Sequence, residues 1–270
     1  MKPARFLPAL RVAPGSAVAA LVAVSISFAA SSSALAVEPN LYIAPSAWAS
    51  ALSGNVATGN GASNEEFGLE STVGLDGTAT TPSFEGFFRY GPNRYIFAWN
   101  RTDLTGSEHI DRTLVFQGET YPAGALVHSE LDYDRWRALY GRPITDGKTV
   151  AFGYLLGIES YEIDVGLKSF GVGKEHAKID ALIPLLGVSL TYVPAKKLRI
   201  YGELLGMATQ RGGVDSKIFQ AQVAVDYVIT REILAISAGY RYLTMASDDD
   251  DEAEFELRQK GVTTGLVFRF

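Results

Sequence analysis

Nine charged side chains sit where charge is unexpected, inside segments that otherwise alternate between apolar and small residues: Glu85, Arg89, Arg135, Arg137, Glu159, Arg199, Glu203, Asp226 and Arg241. Five are basic and four acidic, so gathered on a common inner face they would nearly neutralise one another. Two chemistries follow. Charges held out of water require partners, which makes a structural ion-pair plug; the same residues along an open lumen would line a path for ions or small solutes. The near balance favours the plug, because a selective channel needs a ring of one sign. Arg89, Arg137, Arg199, Glu203 and Asp226 each lie in the half of their segment nearer one set of turns, and are expected to form a single network.

The remaining reactive residues offer less. His109 lies beside Glu108 and Asp111, and His176 beside Glu175, in stretches expected to be exposed loops. His128-Ser129-Glu130 puts a base next to a hydroxyl, yet neighbours on a strand face opposite sides and cannot act together. No Gly-x-Ser-x-Gly, His-Glu-x-x-His or phosphate-loop motif is present. Asp248, Asp249, Asp250, Asp251, Glu252 and Glu254 form the densest charge run, a candidate weak site for Ca²⁺ or Mg²⁺. It lacks the ordered spacing and glycine of an EF-hand loop, so a solvated loop is the default reading. There is no cysteine, which removes disulfides, thiolate metal sites and cysteine nucleophiles. The sequence predicts no enzyme, no cofactor and no metal centre.

The elements that must position these charges are strands. Residues 1–36 read as a cleaved secretory signal: Lys2, Arg5 and Arg11, an apolar run from Ala17 to Ala30, then Ala34-Leu35-Ala36 as a small-x-small cleavage site. Without them the chain carries 21 basic and 30 acidic residues, a balance that excludes nucleic-acid binding. Residues 37–270 form one all-β domain in which no apolar run is long enough for a membrane helix.

Alternation predicts strands near 41–53, 82–90, 94–105, 125–140, 150–165, 179–193, 198–209, 217–229, 234–243 and 261–270. Phe219, Ala221, Val223, Val225, Tyr227 and Ile229 alternate with Gln220, Gln222, Ala224, Asp226 and Val228, a clean example. Two irregularities stand out. Asp132 and Asp134 share the parity of Trp136, Ala138 and Tyr140, which requires either a bulge or acids placed above a membrane. Pro184 cannot donate to a ladder, which predicts a bulge or local break. Short turns at 91–93, 142–147, 194–197 and 230–231 alternate with expected loops at 54–81, 106–124, 168–178, 210–216 and 246–253; the segments 67–69 and 113–116 read as short local strands.

This pattern, together with the closing strand Gly261 to Phe270 and its terminal aromatic, resembles the bacterial outer-membrane β-barrel (porin-like) superfamily. The resemblance covers residues 37–270 and implies an antiparallel transmembrane up-and-down β-barrel of about ten strands, eight or twelve being the alternatives. It implies a Gram-negative outer membrane with both termini periplasmic. Outer-membrane lipid and lipopolysaccharide would surround the wall, and periplasmic chaperones and the insertion machinery would assist biogenesis, reading Leu266, Phe268 and Phe270 as the terminal signal. A porin-like or structural protein that anchors exposed loops, with a small-solute path, is the leading function. A surface binding or adhesion module using the long loops is the alternative, followed by a barrel enzyme acting on lipid or peptide at the outer leaflet.

Overall fold

The computed structural model describes residues 41–58, 65–146, 149–195, 197–211, 214–230, 233–249 and 253–270. Ten long strands make the wall: β1 (Leu41–Thr58), β3 (Thr78–Tyr90), β4 (Asn93–His109), β7 (Leu126–Asp146), β8 (Val150–Ser169), β9 (Gly173–Ala195), β10 (Leu198–Arg211), β11 (Val214–Thr230), β12 (Leu234–Asp249) and β13 (Ala253–Arg269). Each pairs antiparallel with its sequence neighbour. Pairing of β13 with β1, from Tyr42↔Arg269 to Thr58↔Ala253, closes the barrel. Leu41 and Phe270 exchange backbone hydrogen bonds of 3.0 and 2.8 Å at that seam. Three short strands, β2 (Glu65–Gly68), β5 (Leu114–Phe116) and β6 (Glu119–Tyr121), belong to two long connections.

The polarity of the wall is inverted relative to a soluble barrel. Phe152, Leu156 and Ile158 on β8, Leu182, Leu186 and Leu190 on β9, and Val223, Val225 and Tyr227 on β11 point outward and are exposed. On β8 the outward apolar run covers 150–158 and on β9 182–192, the nine to eleven residues a tilted strand needs to cross a bilayer. Tyr95, Tyr140 and Tyr154 cluster at its turn side, and Trp99 and Trp136 at its loop side, as interfacial aromatics do.

β7, β8 and β9 are 21, 20 and 23 residues long, about twice the span of this belt. Their surplus stands beyond the belt as a water-facing wall. Asp132 and Asp134 lie on this wall, outward in phase, and the ladders of β7 with β4 and β8 show no register shift between Leu126 and Pro143. No bulge is present there.

The same extension corrects the expected loop at 168–178. Lys168, Lys174 and Lys178 alternate along paired strands, and the turn is only Phe170-Gly171-Val172, with Gly171 at φ +88°. A strand wetted on its outer side carries charge at loop-like density, so composition alone could not distinguish the two. The expected loops 210–216 and 246–253 are strand over their described residues, β10 running to Arg211, β11 from Val214, β12 to Asp249 and β13 from Ala253, while 212–213 and 250–252 lie outside the described residues. At Pro184 the register with β8 is unbroken; the break falls on the other side, where pairing of β9 with β10 runs only over Leu186–Ala195.

The two long connections fold inward. The expectation of an exposed loop over 54–81 fails over its described residues, 59–64 lying outside them: β1 continues to Thr58, β2 pairs back onto it through Val56↔Phe67, and Phe67, Leu69, Val73 and Leu75 are buried. β5 and β6 form a hairpin through Gln117-Gly118, both at positive φ, as a two-residue type I′ turn requires. Its Leu114, Phe116 and Tyr121 are fully buried. With Trp48, Leu52, Leu131, Ile163, Val165 and Leu257 from the wall, they fill the loop-end half of the lumen with an apolar core.

Candidate functional site

Below that core the lumen turns ionic. Parity alone places the side chains: every inward position on a wall strand is two residues from the next, so Arg135 and Arg137 follow Tyr133 down the inside of β7, and Glu159 and Tyr161 share the inside of β8. Tyr133 and Tyr161 stack at 5.8 Å as the floor of the apolar core. Arg135 Nε then forms an ion pair with Glu159 at 2.9 Å, with both residues almost fully buried. Glu159 also accepts from Tyr161 and from Gln220.

One step lower, Arg137 Nη2 bridges Glu85 at 3.2 Å and Glu203 at 3.4 Å, reaching strands β3 and β10 across the lumen. Its Nη1 donates to Gln220 at 3.4 Å. Arg241 stands 3.8 Å from Glu85, donates through Nε to Gln222 at 2.9 Å, and lies over the Trp48 ring at 5.2 Å. Three arginines therefore meet three glutamates in one neutral layer. Two spaces beside it measure about 20 and 10 Å³, at most a single water each.

The expected single network of Arg89, Arg137, Arg199, Glu203 and Asp226 is corrected here, because it divides in two. Arg137 and Glu203 belong to the central layer. Arg199 pairs with Asp226 at 3.7 Å near the turn end, where Arg269 also reaches Asp226 at 3.0 Å. Arg89 has no ion pair among the described residues; its cross-strand partner is Arg94. Arg94 and Arg269 were not singled out from the sequence, although both share parity with inward neighbours, Ile96 and Val267. Arg89, Arg94, Arg142, Arg199 and Arg269 line a cavity of about 620 Å³ at the turn end.

The other candidates stay outside the lumen. His128 and Ser129 face opposite sides, and Ser129 donates instead to the Val73 carbonyl at 2.8 Å, tying the inward-folded loop to β7. The outward His128 meets Ser107 of the next strand, Oγ to Nδ1 2.6 Å, a cross-strand contact that single-strand reading cannot find. No acid is hydrogen-bonded to that histidine among the described residues, and the local backbone lies in continuous ladders that leave no free donor pair to stabilise an oxyanion. His176 bonds to Asp164 at 2.8 Å, and His109 to the Gly124 carbonyl at 3.3 Å. Of the acidic run, Asp250, Asp251 and Glu252 lie outside the described residues, as do the side chains of Asp248, Asp249 and Glu254. Among the described residues no group of three His, Asp or Glu side chains could hold a metal. Leu266 and Phe270 point outward and are exposed, and Phe268 is half-buried on the same outward parity.

On the water-facing wall, Asp132 stands directly between Asp103 and Asp164 of the adjoining strands. Partial burial, and then a hydrogen bond with Asp103, hold its carboxyl above the usual carboxylate range. The folded wall binds that proton more tightly than the unfolded chain. Its contribution is thus complete below about pH 4 and is lost as pH rises through the raised value. Asp132→Asn keeps a hydrogen-bonding group and removes one repelling charge. It should raise stability by a few tenths of a kcal/mol at pH 7 and by nothing at pH 3, read by urea unfolding. Destabilisation at pH 7 would show that the carboxylate has an attractive partner instead.

No protein-family model matches the sequence, and no curated protein matches it. Among solved structures the chain is similar to the translocator domain of the autotransporter NalP from Neisseria meningitidis, at 13% identity and TM-score 0.41 over 97% of this chain and 100% of that one. It is also similar to Ail, the attachment invasion locus protein of Yersinia pestis, at 12% identity and TM-score 0.36, covering 84% and 99%. Neisserial surface protein A gives 12% identity and TM-score 0.33, covering 85% and 97%. Likeness at this level carries nothing about activity, so the assignment of architecture rests on the barrel's own geometry. A closed ten-stranded antiparallel wall, apolar outside and ionic inside, is the architecture of an outer-membrane β-barrel, and this chain has it.

Proposed function

We propose that the protein is a plugged, structural outer-membrane barrel that anchors the water-facing wall of β4, β7, β8 and β9 and does not conduct at rest. The observation that carries this reading is the double closure of the lumen, by the apolar core of the two inward-folded connections and by the neutral layer of three arginines and three glutamates beneath it. A small-solute path would require both to move. In this reading the short turns and both termini are periplasmic, lipid and lipopolysaccharide surround the belt, and Leu266, Phe268 and Phe270 serve the insertion machinery and its chaperones.

The test combines heat-modifiable gel migration of the detergent-folded protein with planar-bilayer recording on the same sample. Folded, heat-sensitive and electrically silent protein is the expected result. Sustained single-channel conductance would overturn the plug, and a protein that stays soluble and folded without detergent would overturn the membrane assignment. A surface-binding role is the second reading, favoured by the charged wall beyond the belt and by Phe170, fully exposed at the tip of the β8–β9 turn. Among the described residues no acid is hydrogen-bonded to His128 beside its Ser107 contact, so this pair is read as structural.

A further inference from the structure

The two ends of the lumen treat their arginines differently. In the central layer each guanidinium reaches at least one carboxylate. In the turn-end cavity of about 620 Å³, lined by five arginines, the carboxylate that an ion pair reaches among the described residues is Asp226, held by Arg199 and Arg269. Arg89 and Arg94 face each other across β3 and β4, the least favourable placement for like charges. Neither has an ion pair among the described residues, and the Nε atoms of Arg89, Arg94 and Arg269 are buried without a hydrogen-bond partner; Arg135 and Arg137 of the central layer also have unpartnered nitrogens, but only the turn-end set lines a cavity large enough for an acceptor. Buried unpaired donors are costly, and several converging on one cavity mark a missing acceptor.

The guanidiniums are also held in place. Arg94 lies 4.4 Å over the Phe87 ring, Phe87 stacks on Tyr42 at 4.7 Å and 14°, and Arg199 lies 5.6 Å from the other member of that pair. Such clamping spends little ordering entropy on binding, and a fixed guanidinium fork suits the oxygens of a phosphate. The volume is that of a small-molecule site. The wall encloses it on all sides but the turn-end mouth, which admits a dissolved ligand and keeps out the head group of a lipid lying against the belt.

We propose that this vestibule binds a small, soluble, phosphate-bearing polyanion, bridged by Arg89 and Arg94 and reached by Arg199. The inference is independent of whether the barrel conducts, and its test uses binding in detergent, so that the outcome of the bilayer recording does not bear on it. Titration calorimetry of the full-length folded protein with inorganic pyrophosphate, at low ionic strength, should give saturable one-to-one binding. Arg89→Gln and Arg94→Gln should each weaken it by roughly ten- to a hundredfold. Arg94→Lys, which keeps the charge and loses the fork, should also weaken it, whereas Arg101→Gln on the outer wall should not. Heat-modifiable migration checks folding of each variant, and if Arg94→Gln fails that check, Arg89→Gln and the rim substitution Arg142→Gln carry the comparison. No saturable binding by the unsubstituted protein, or unchanged affinity in the folded vestibule variants, overturns the proposal. Citrate binding as tightly as pyrophosphate overturns the phosphate assignment.

Discussion

Arg137→Met destabilises the folded barrel by about 3–5 kcal/mol, because it removes one partner of a buried ionic layer and leaves the others behind. Arg137 is the only described guanidinium within ion-pair distance of Glu203, and it shares Glu85 with the more distant Arg241. Its loss sets two buried carboxylates against each other with one weak counterion. Adding Glu203→Gln to Arg137→Met removes the stranded charge, leaving Glu85 with Arg241 and Glu159 with Arg135, and most of the stability should return. Unfolding by urea from lipid vesicles measures both. If Arg137→Met costs less than about 1 kcal/mol, the range of a surface pair, the layer is hydrated and the lumen is not closed there.

The same reasoning fixes what is not coupled. Arg199 and Glu203 lie four residues apart on β10, about 13 Å along the strand, and have different partners. Arg199→Ala and Glu203→Ala should therefore add, within about 0.5 kcal/mol. A larger coupling would reunite the two networks that the geometry separates.

How much of this was readable depends on which dimension a signal occupies. The outward belt is a one-dimensional signal: Val223, Val225 and Tyr227 announce their face by spacing, and the same parity assigned Glu85, Arg137, Glu203 and Asp226 to the lumen. Parity would equally have placed Arg94 and Arg269, had strand ends been followed to the last residue. Which inner residue meets which is set by the stagger of strands around the barrel, and no single strand encodes it; Arg137 on β7 reaches β3 and β10, neither of them its neighbour. The inward loops were hidden for a different reason. Phe67, Leu69, Val73 and Leu75 stand among Gly, Asn, Ser and Thr that read as solvent-exposed, and their burial comes from a cavity supplied by other strands.

That cavity makes the largest packing prediction. Phe67 of β2 and Phe116 of β5 meet edge to face, ring centroids 6.2 Å apart at 79°, and neither is more than 1% exposed. β2 is paired to the wall through β1, whereas the β5–β6 hairpin carries its own ladder, the bonds among Ile110, Gly124 and Ala125, and Tyr121 Oη donating to the Leu167 carbonyl at 3.2 Å. Leu114, Phe116 and Tyr121 are fully buried, and their burial is a main tie of the hairpin to the lumen. Phe67→Ala and Phe116→Ala should each cost about 3–5 kcal/mol, and their double-mutant cycle should return a coupling of about 0.5–1.5 kcal/mol for the ring contact. Only Phe116→Ala should speed tryptic cleavage at Arg112, because it alone releases the hairpin while the wall stays paired. Unchanged cleavage and unchanged unfolding would mean that the hairpin is held by its backbone and the apolar core is incidental. Conductance should remain absent in Phe116→Ala, since the ionic layer below still fills the barrel, and should appear only when Arg137, Glu85 and Glu203 are replaced by small residues as well. Two closures in series require two openings.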